Sequence, residues 1–399
     1  MGNQRVQGSY KWVVLALSFF MMISFALSLQ VLPPLFEQIM EDISFSNSQA
    51  GILMGAYAIP GIFLPFIVAY LANRFDMKKL IIVALIIMIL GLVAFSLAES
   101  FSLLVVCRLV AGIGATVLVV LAPLLITMFF DQKNIGIAMG IFNTAVPLGT
   151  VLAANLFGSL GRILGWRVIL YGVAGFLGVI LLLVIFALSL QKNDGSTHSD
   201  DVSKQSAPKF RGSLSLWFLA AIWVLANFQL LAYVTFGSQF YQSLGLANQH
   251  AGFLTSLIML ASIFLAPIIG VAFDKTGRKK PYLITGSVII LISFVLMAVR
   301  FPGLPLWAVA LGIGFAPIPV FVFAHLPETV KPHEVGMGMG MLTIASNLGT
   351  TIGPSALGSI LDRTGGNFSI SFMVLAAVSI IIIAFSLGLK PRSSTSESQ

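Results

Sequence analysis

The chain has 399 residues, of which 58% are hydrophobic and only 9% are charged. Soluble domains are roughly a quarter charged, so a chain this apolar cannot cover itself with polar surface and is predicted to be solvated by lipid. The net charge of +8 lies mainly in short loops between apolar runs, which is typical of membrane proteins and argues against a nucleic-acid partner. The single cysteine, Cys107, excludes an internal disulfide framework and a cysteine metal cluster.

Long apolar runs divide the chain into membrane spans. A helix needs about 20 apolar residues to cross the hydrocarbon, and lipid offers no partner for an open strand edge, so each run is predicted to be a helix. Twelve runs meet this length: 12–32, 49–71, 79–98, 102–129, 136–159, 168–190, 214–237, 251–273, 281–299, 305–326, 336–360 and 369–389. The sequence therefore predicts an all-α integral membrane protein with twelve transmembrane helices.

One long hydrophilic stretch interrupts this pattern after the sixth run. Residues 191–212 are rich in Lys, Ser, Asp and Gly, which is typical of a flexible linker. We therefore predict a six-helix bundle over 1–190, a cytoplasmic linker over 191–212 and a second six-helix bundle over 213–399. Most of the 22 Lys and Arg residues fall on the side that holds both termini, which predicts that both termini are cytoplasmic.

The two halves repeat each other. A charged elbow, GVAFDKTGRKKP over Gly270–Pro281, has a weaker copy, AYLANRFDMKKL, over Ala69–Leu80. Ala50-Gly51 before the second span matches Ala251-Gly252 before the eighth, and the fifth and eleventh spans share eight identities at a spacing of 200 residues. The repeat predicts two pseudo-symmetric bundles related by an axis along the membrane normal.

These motifs resemble those of the major facilitator superfamily. The second elbow looks like that family's cytoplasmic signature, whereas the first departs from it at Asn73 and Asp76, and CRLVAGIG over Cys107–Gly114 is similar to the family's buried-arginine motif. The resemblance implies two bundles that rock about a central cavity lined mainly by spans one, four, seven and ten. Residues 233–252 look like the cyanate-permease type within the superfamily.

Arg108 is the one charged side chain that falls well inside a span, and an intramembrane charge is by default a functional-site hypothesis. It either binds an anionic group of a solute or acts as a coupling group, or it is a structural cation that is held by backbone carbonyls or that snorkels outward. No span interior contains Asp or Glu, so a carboxylate proton relay is not expected. Because a doubly charged solute would meet one cation only, a neutral or monoanionic solute is favoured.

Uncharged polar side chains deep in spans either bond across helices or face a wet cavity. Together with Arg108, the predicted solute-binding residues are Gln30, Tyr57, Asn143, Asn227, Tyr233 and Asn347. In the elbows, a carboxylate favours the start of a helix, and the resemblance places Asp274 at the start of span five and Asn73 at that of span eleven. The predicted gating residues are Asn73, Arg74, Asp274 and Arg278, with topology alone as the alternative role.

We therefore predict a transporter, secondary active or facilitative, that moves a small neutral or monoanionic solute by alternating access. It is expected to act as a monomer in the cell membrane, and its partners are the solute and the lipid bilayer. An exporter of lipophilic compounds is an alternative that the 32 Phe residues allow. A non-transporting membrane receptor is a second alternative. No nucleotide-binding loop, catalytic triad or metal-ligand spacing appears, so we expect no enzyme activity, metal or cofactor.

Overall fold

The computed structural model describes residues 2–131, 134–188, 213–276, 279–331 and 334–389, with only the backbone described for residues 2–9 and Asp274. Within these ranges every regular element is helical. The predicted linker lies wholly outside the described residues, so the division of the chain at 191–212 stays a prediction.

The first half of the chain forms ten α-helices and one 3-10 turn, Pro33–Leu35. The α-helices are α1 (Gly2–Gln30), α2 (Phe36–Asp42), α3 (Asn47–Ala58), α4 (Pro60–Phe63), α5 (Pro65–Arg74), α6 (Met77–Ser96), α7 (Phe101–Phe129), α8 (Ile135–Asn143), α9 (Ala145–Leu164) and α10 (Trp166–Ala187).

The second half forms seven helices in the part described. They are α11 (Leu214–Ser243), α12 (Asn248–Thr276), α13 (Lys280–Ala298), α14 (Leu304–Phe315), α15 (Pro317–Thr329), α16 (Val335–Arg363) and α17 (Phe368–Gly388).

These helices correspond to the twelve predicted spans. Among the described residues, 10 helical segments are long and apolar enough to cross a membrane, and an eleventh qualifies as a bent pair made of α3–α4 and α5. The twelfth span is α16, whose 29 residues have the length to cross but include many Gly, Ser and Thr residues. The polar residues of α16 have a structural reason, because one face of this helix lines a cavity between the two halves.

The second span is broken where two prolines follow each other closely. Pro60 and Pro65 stand at the first positions of α4 and α5, where a residue without a backbone N–H is tolerated. The segments Asn47–Phe63 and Pro65–Arg74 meet at an angle of 52°. The sequence predicts one continuous run here, and the structure divides it into two rigid arms.

The two halves meet chiefly along two helix pairs, α3 with α16 and α9 with α12. Gly51 of α3 lies against the backbone carbonyl of Pro354, and Gly252 of α12 lies against that of Ala154. Since residues 51 and 252 match in the sequence repeat, as do 154 and 354, the two contacts are the same contact made twice. The predicted pseudo-symmetric pair of bundles is confirmed.

Both contacts lie on the side of the molecule opposite the elbows. We call this the far side, where α3 begins at Asn47 and α16 ends at Arg363. The elbow side is the opposite end, where α5 ends at Arg74 and α12 ends at Thr276.

Candidate functional site

A cavity of about 290 Å³ lies between the two halves. The first half contributes residues from α1, the broken span α3–α5, α7 and α9, and the second half contributes residues from α11, α15 and α16. The four spans implied by the family resemblance are all represented, since α1, α7, α11 and α15 belong to spans one, four, seven and ten. The broken second span and α16 are additional walls.

The two walls of this cavity differ in polarity. The first-half wall is almost entirely apolar and comprises Met22, Phe25, Leu29, Tyr57, Ala58, Gly61, Pro65, Ala115, Thr116, Val119, Val120 and Val146. The second-half wall carries Thr343, Ser346, Asn347 and Thr350 beside Trp223, Phe323 and Leu342. No charged side chain lines the cavity in the part of the chain that the structure describes.

The far side is closed over the α3–α16 pair by a hydrogen-bonded carboxylate. Asp362 accepts from the backbone N–H of Asn47 at 3.0 Å and from that of Ser48 at 2.8 Å, and also from the side-chain amide of Asn47 at 3.0 Å. These N–H groups open α3 and have no partner within their own helix. An acidic side chain from one half therefore caps a helix of the other, and the helix dipole favours this placement. One turn inward, the hydroxyl oxygens of Ser48 and Ser359 lie 2.9 Å apart.

The matching α9–α12 pair is closed without a carboxylate. Asn155 donates its side-chain N–H to the hydroxyl of Ser256 at 3.0 Å. Arg162 stands 200 residues before Asp362, and it pairs instead with Glu37 of its own half at 2.9 Å. Both helix pairs, which we call the far-side seams, thus share a close backbone contact at a glycine. Among the described residues, the carboxylate closure, which we call the latch, belongs to the α3–α16 seam alone.

The elbow side has no comparable closure among the described residues. Helices α5 and α8, the elbow-side portions of spans two and five, are absent from the main contacts between the halves. Asn73 and Arg74 are exposed, and the Arg74 guanidinium lies over the ring of Tyr70, 4.7 Å from its centroid. Arg278 and the side chain of Asp274 lie outside the described part of the chain, so the predicted elbow latch stays a prediction.

Arg108 is buried and is held by the backbone. Its Nη1 donates to the carbonyl of Ser28 at 2.7 Å, its Nη2 to that of Leu29 at 3.1 Å and its Nε to that of Leu53 at 3.1 Å. The first two carbonyls belong to the last turn of α1, where intrahelical donors run out and a cation is favoured by the dipole. This arrangement agrees with the structural alternative stated for Arg108.

The same guanidinium also lies over the ring of Tyr57, 4.4 Å from its centroid. Tyr57 and Leu29 both line the cavity, whereas Arg108 does not. Arg108 is therefore placed to hold two residues of the first-half wall in position.

Of the predicted solute-binding residues, the structure brings two to the cavity, Tyr57 and Asn347. Asn227 lies behind the wall, donates to the carbonyl of Trp223 at 2.8 Å and accepts from Ser346 at 3.1 Å. Tyr233 is fully buried within the second half, where its hydroxyl lies 3.1 Å from that of Tyr241.

The remaining two candidates also lie apart from the cavity. Gln30 is buried beside the end of α1. Asn143 ends α8 and is exposed.

The sequence analysis missed Asp362, Thr343, Ser346 and Thr350. The last three stand with Asn347 at positions i, i+3, i+4 and i+7 of one predicted span, which is the spacing of a single helical face. That spacing could have identified these three residues as one polar helix face. No local sequence pattern could have identified Asp362, because its partners on α3 are more than 300 residues away in the sequence.

Two of the most similar curated proteins span nearly the whole chain. The lysosomal dipeptide transporter MFSD1 of Danio rerio is 23% identical over 373 residues, covering 87% of this chain and 80% of the relative. The hexuronate transporter of Bacillus subtilis (strain 168) is 23% identical over 364 residues, covering 86% of each chain. A solved structure, a bacterial homolog of the human lysosomal transporter Spinster in an inward-facing, unoccupied conformation, aligns with a TM-score of 0.81 and 18% identity over 95% of this chain and 97% of its own.

The family model of the Major Facilitator Superfamily matches residues 18–309 and 228–399. The chain belongs to the Major Facilitator Superfamily. Together, the two matched segments cover nearly all of both helical bundles. This major facilitator protein is accordingly a multi-pass membrane transporter, and the predictions of its fold and of transport rather than enzyme activity are confirmed.

Proposed function

We propose that this carrier moves a small neutral or monoanionic solute through the cavity between its halves, and that the structure represents its elbow-open state. The observation that carries the proposal is the position of the cavity. It lies on the pseudo-twofold interface, with two matched helix seams on the far side and no equivalent seam on the elbow side within the described residues. If the two far-side seams opened while helices on the elbow side closed, the same cavity walls would be exposed to each side of the membrane in turn.

The elbow side is proposed to be cytoplasmic, because among the described residues Lys and Arg are more numerous there than on the far side. In that orientation both termini face the cytoplasm, and we place the carrier in the cell membrane. One chain encloses a complete cavity, which supports a monomer as the working unit. The likeness of residues 233–252 to cyanate permeases stays a prediction, since the relatives described above are transporters of dipeptides and hexuronate.

The proximity of Ser48 and Ser359 supplies a direct test. Their hydroxyl oxygens lie 2.9 Å apart across the far-side seam. A disulfide between cysteines at these positions, made in a Cys107→Ala background, should lock the far side shut. Purified protein in proteoliposomes is then tested for uptake from a panel of labelled sugars, amino-acid derivatives and carboxylates.

Oxidation should abolish uptake and reduction should restore it, while the single variant Ser48→Cys should be insensitive to both. Uptake that continues at the wild-type rate in the crosslinked protein would contradict alternating access through this seam. Saturable binding of a panel member without any uptake would instead favour the receptor alternative.

Export of lipophilic compounds remains a second candidate, because two apolar surfaces favour it. One is the first-half wall of the cavity. The other is an apolar groove of about 560 Å³ between α5, α11 and α16, lined by residues that include Phe66, Trp217, Met337 and Met341. Accumulation of a fluorescent lipophilic dye in cells that lack the protein, reversed by restoring it, would support this alternative.

A further inference from the structure

One face of α16 concentrates the polar groups of the cavity. Thr343, Ser346, Asn347 and Thr350 all line it, and we call these four residues the α16 stripe. The opposite wall, from α1 and α7, presents side chains such as Phe25, Ala115, Val119 and Val120. A bound solute would therefore meet hydrogen-bonding groups on one edge and hydrocarbon on the other.

Three of the five side-chain polar hydrogen atoms of the stripe are committed within the protein, which leaves the second amide hydrogen of Asn347 and the hydroxyl hydrogen of Thr350. The Thr343 hydroxyl donates to the carbonyl of Met339 at 3.0 Å, and the Asn347 amide donates to the carbonyl of Thr343 at 2.9 Å. The Ser346 hydroxyl donates to Oδ1 of Asn227 at 3.1 Å. A hydroxyl that has donated its one hydrogen keeps its lone pairs and can then only accept.

Asn227 fixes the direction of the Ser346 hydrogen bond. A carbonyl oxygen cannot donate, so the Asn227 atom that lies 2.8 Å from the carbonyl of Trp223 is its amide nitrogen. The other end of the same side chain, Oδ1, consequently faces Ser346, and Ser346 must supply the hydrogen. Asn227 thus acts on the cavity through Ser346, as a positioning residue.

The nearby guanidinium of Arg108 does not offset this excess of hydrogen-bond acceptors in the stripe. The Arg108 guanidinium is directed at three backbone carbonyls and does not line the cavity. A carboxylate carries only acceptors, so in this cavity it would lose its hydration and meet lone pairs and at most the two uncommitted hydrogen atoms of the stripe, without a cation. An uncharged hydroxyl or amide N–H can instead donate to those lone pairs.

The pseudo-symmetric face of span five does not repeat the stripe. Residues 143, 146, 147 and 150 correspond to it and are Asn, Val, Pro and Thr. Only Val146 of these lines the cavity, and Asn143 is exposed. The polar side chains of the cavity are thus concentrated on the second half of the molecule, although Tyr57 and Thr116 line the cavity from the first half.

We propose that the α16 stripe is the specificity surface of the carrier and selects uncharged solutes with hydroxyl or N–H donors along one edge and an apolar opposite edge. The inference rests on the proposed transport through this cavity and narrows its solute class from neutral or monoanionic to neutral.

Matched pairs of probes test the charge preference directly. Glucose is compared with glucuronate, and an N-acetyl amino-acid amide with the corresponding N-acetyl amino acid, by thermal shift of the purified full-length protein and by uptake into proteoliposomes. We expect at least one uncharged member to stabilise the protein and to be taken up. The corresponding acid should bind and be taken up with an affinity at least tenfold lower. An acid that binds and is taken up as well as its uncharged partner, or better, would overturn the inference while leaving transport through the cavity intact. Uptake of none of the four probes would count against both proposals.

Variants separate selectivity from folding. Ser346→Ala should lower the affinity for the preferred probe about tenfold. Asn143→Ala, at the pseudo-symmetric equivalent of Thr343, should leave that affinity unchanged. Asn227→Leu should free the Ser346 hydrogen to face the cavity and so narrow the ratio between the uncharged probe and its acid. A merely structural role of Asn227 would lower binding of both members and leave their ratio unchanged, and that outcome would overturn its positioning role.

Discussion

Gly51 packs directly on the backbone carbonyl of Pro354, with no room for a side-chain carbon between the two helices. Its pseudo-symmetric counterpart, Gly252, packs in the same way on Ala154. A second matched pair supports the relationship, since Gly149 lies against Ile23 and Ala26 of α1 and Gly349 lies against Val224 and Asn227 of α11. Close backbone approach at small residues is how membrane helices associate, and here it closes the far side twice.

Enlarging Gly51 should therefore open the far side. In Gly51→Val the added carbons cannot fit against Pro354, so the α3–α16 seam should separate and the population should move toward the far-side-open state. Labelling of a cysteine at Ser359 by a membrane-impermeant maleimide measures this shift, with an expected increase of at least fivefold.

The control for this experiment is Gly172→Val on α10, where a side chain would meet nothing within 4 Å. Its labelling should match that of the parent protein. Equal labelling of Gly51→Val and the parent would contradict the role given to this contact.

Removing the charge of Asp362 should weaken the same closure more gently. Asp362→Asn keeps the shape but loses one acceptor oxygen and the favourable interaction with the start of α3. For a partly exposed capping group this is worth about 1 kcal/mol, or roughly a fivefold change in the ratio of open to closed far sides. Distances between spin labels on the ends of α3 and α16 would report the change. Arg363→Gln, one residue further on the same helix, serves as the control, and an identical effect of both substitutions would argue against a specific latch.

Arg108→Ala should impair both stability and transport. The substitution leaves three buried carbonyls without their donor and removes the support of Tyr57, at a cost of about 3 kcal/mol in folding free energy. Thermal unfolding in detergent and uptake in proteoliposomes measure the two effects. Arg162→Ala removes an exposed ion pair and should cost less than about 1 kcal/mol. Unchanged thermal stability with lost uptake would instead indicate that Arg108 contacts the solute.

Gly61→Ala should alter solute affinity without affecting the far side. A methyl group at this position would collide with the side-chain amide of Asn347, which packs directly against Gly61 at the cavity wall. Displacing that amide disturbs one member of the α16 stripe, so we expect KM for uptake to rise several-fold while the amount of folded protein is unchanged. Far-side labelling at Ser359 should stay at the parental level, and a rise in labelling there would show that the substitution had disturbed the seam instead.

The helical architecture was predictable because lipid permits few alternatives. Twelve apolar runs and a repeat of 200 or 201 residues were enough to predict two matched bundles, and the structure makes equivalent contacts at equivalent residues. Pro60 and Pro65 marked a site where a helix could kink. The 52° angle between the two arms depends on packing against α7 and α16, which no local pattern encodes.

The site was harder to predict than the fold. The depth of Arg108 in its span could be read from the sequence, but the carbonyls that hold it lie 55 to 80 residues away and carry no side-chain signal. Asn227 and Tyr233 were plausible ligands on polarity alone. Neither of them lines the cavity, because the rotation of α11 about its axis, set by packing against α16 and α17, turns both side chains into the second half.

The opposite charges at the matched positions 162 and 362 affect which of its two end states the carrier prefers in the absence of solute. The two far-side closures share one backbone geometry, so a single substitution at the rim of either can change the stability of the elbow-open state. The balance between the elbow-open and far-side-open states can therefore change through one exposed side chain, while the packing of the helix interfaces stays the same.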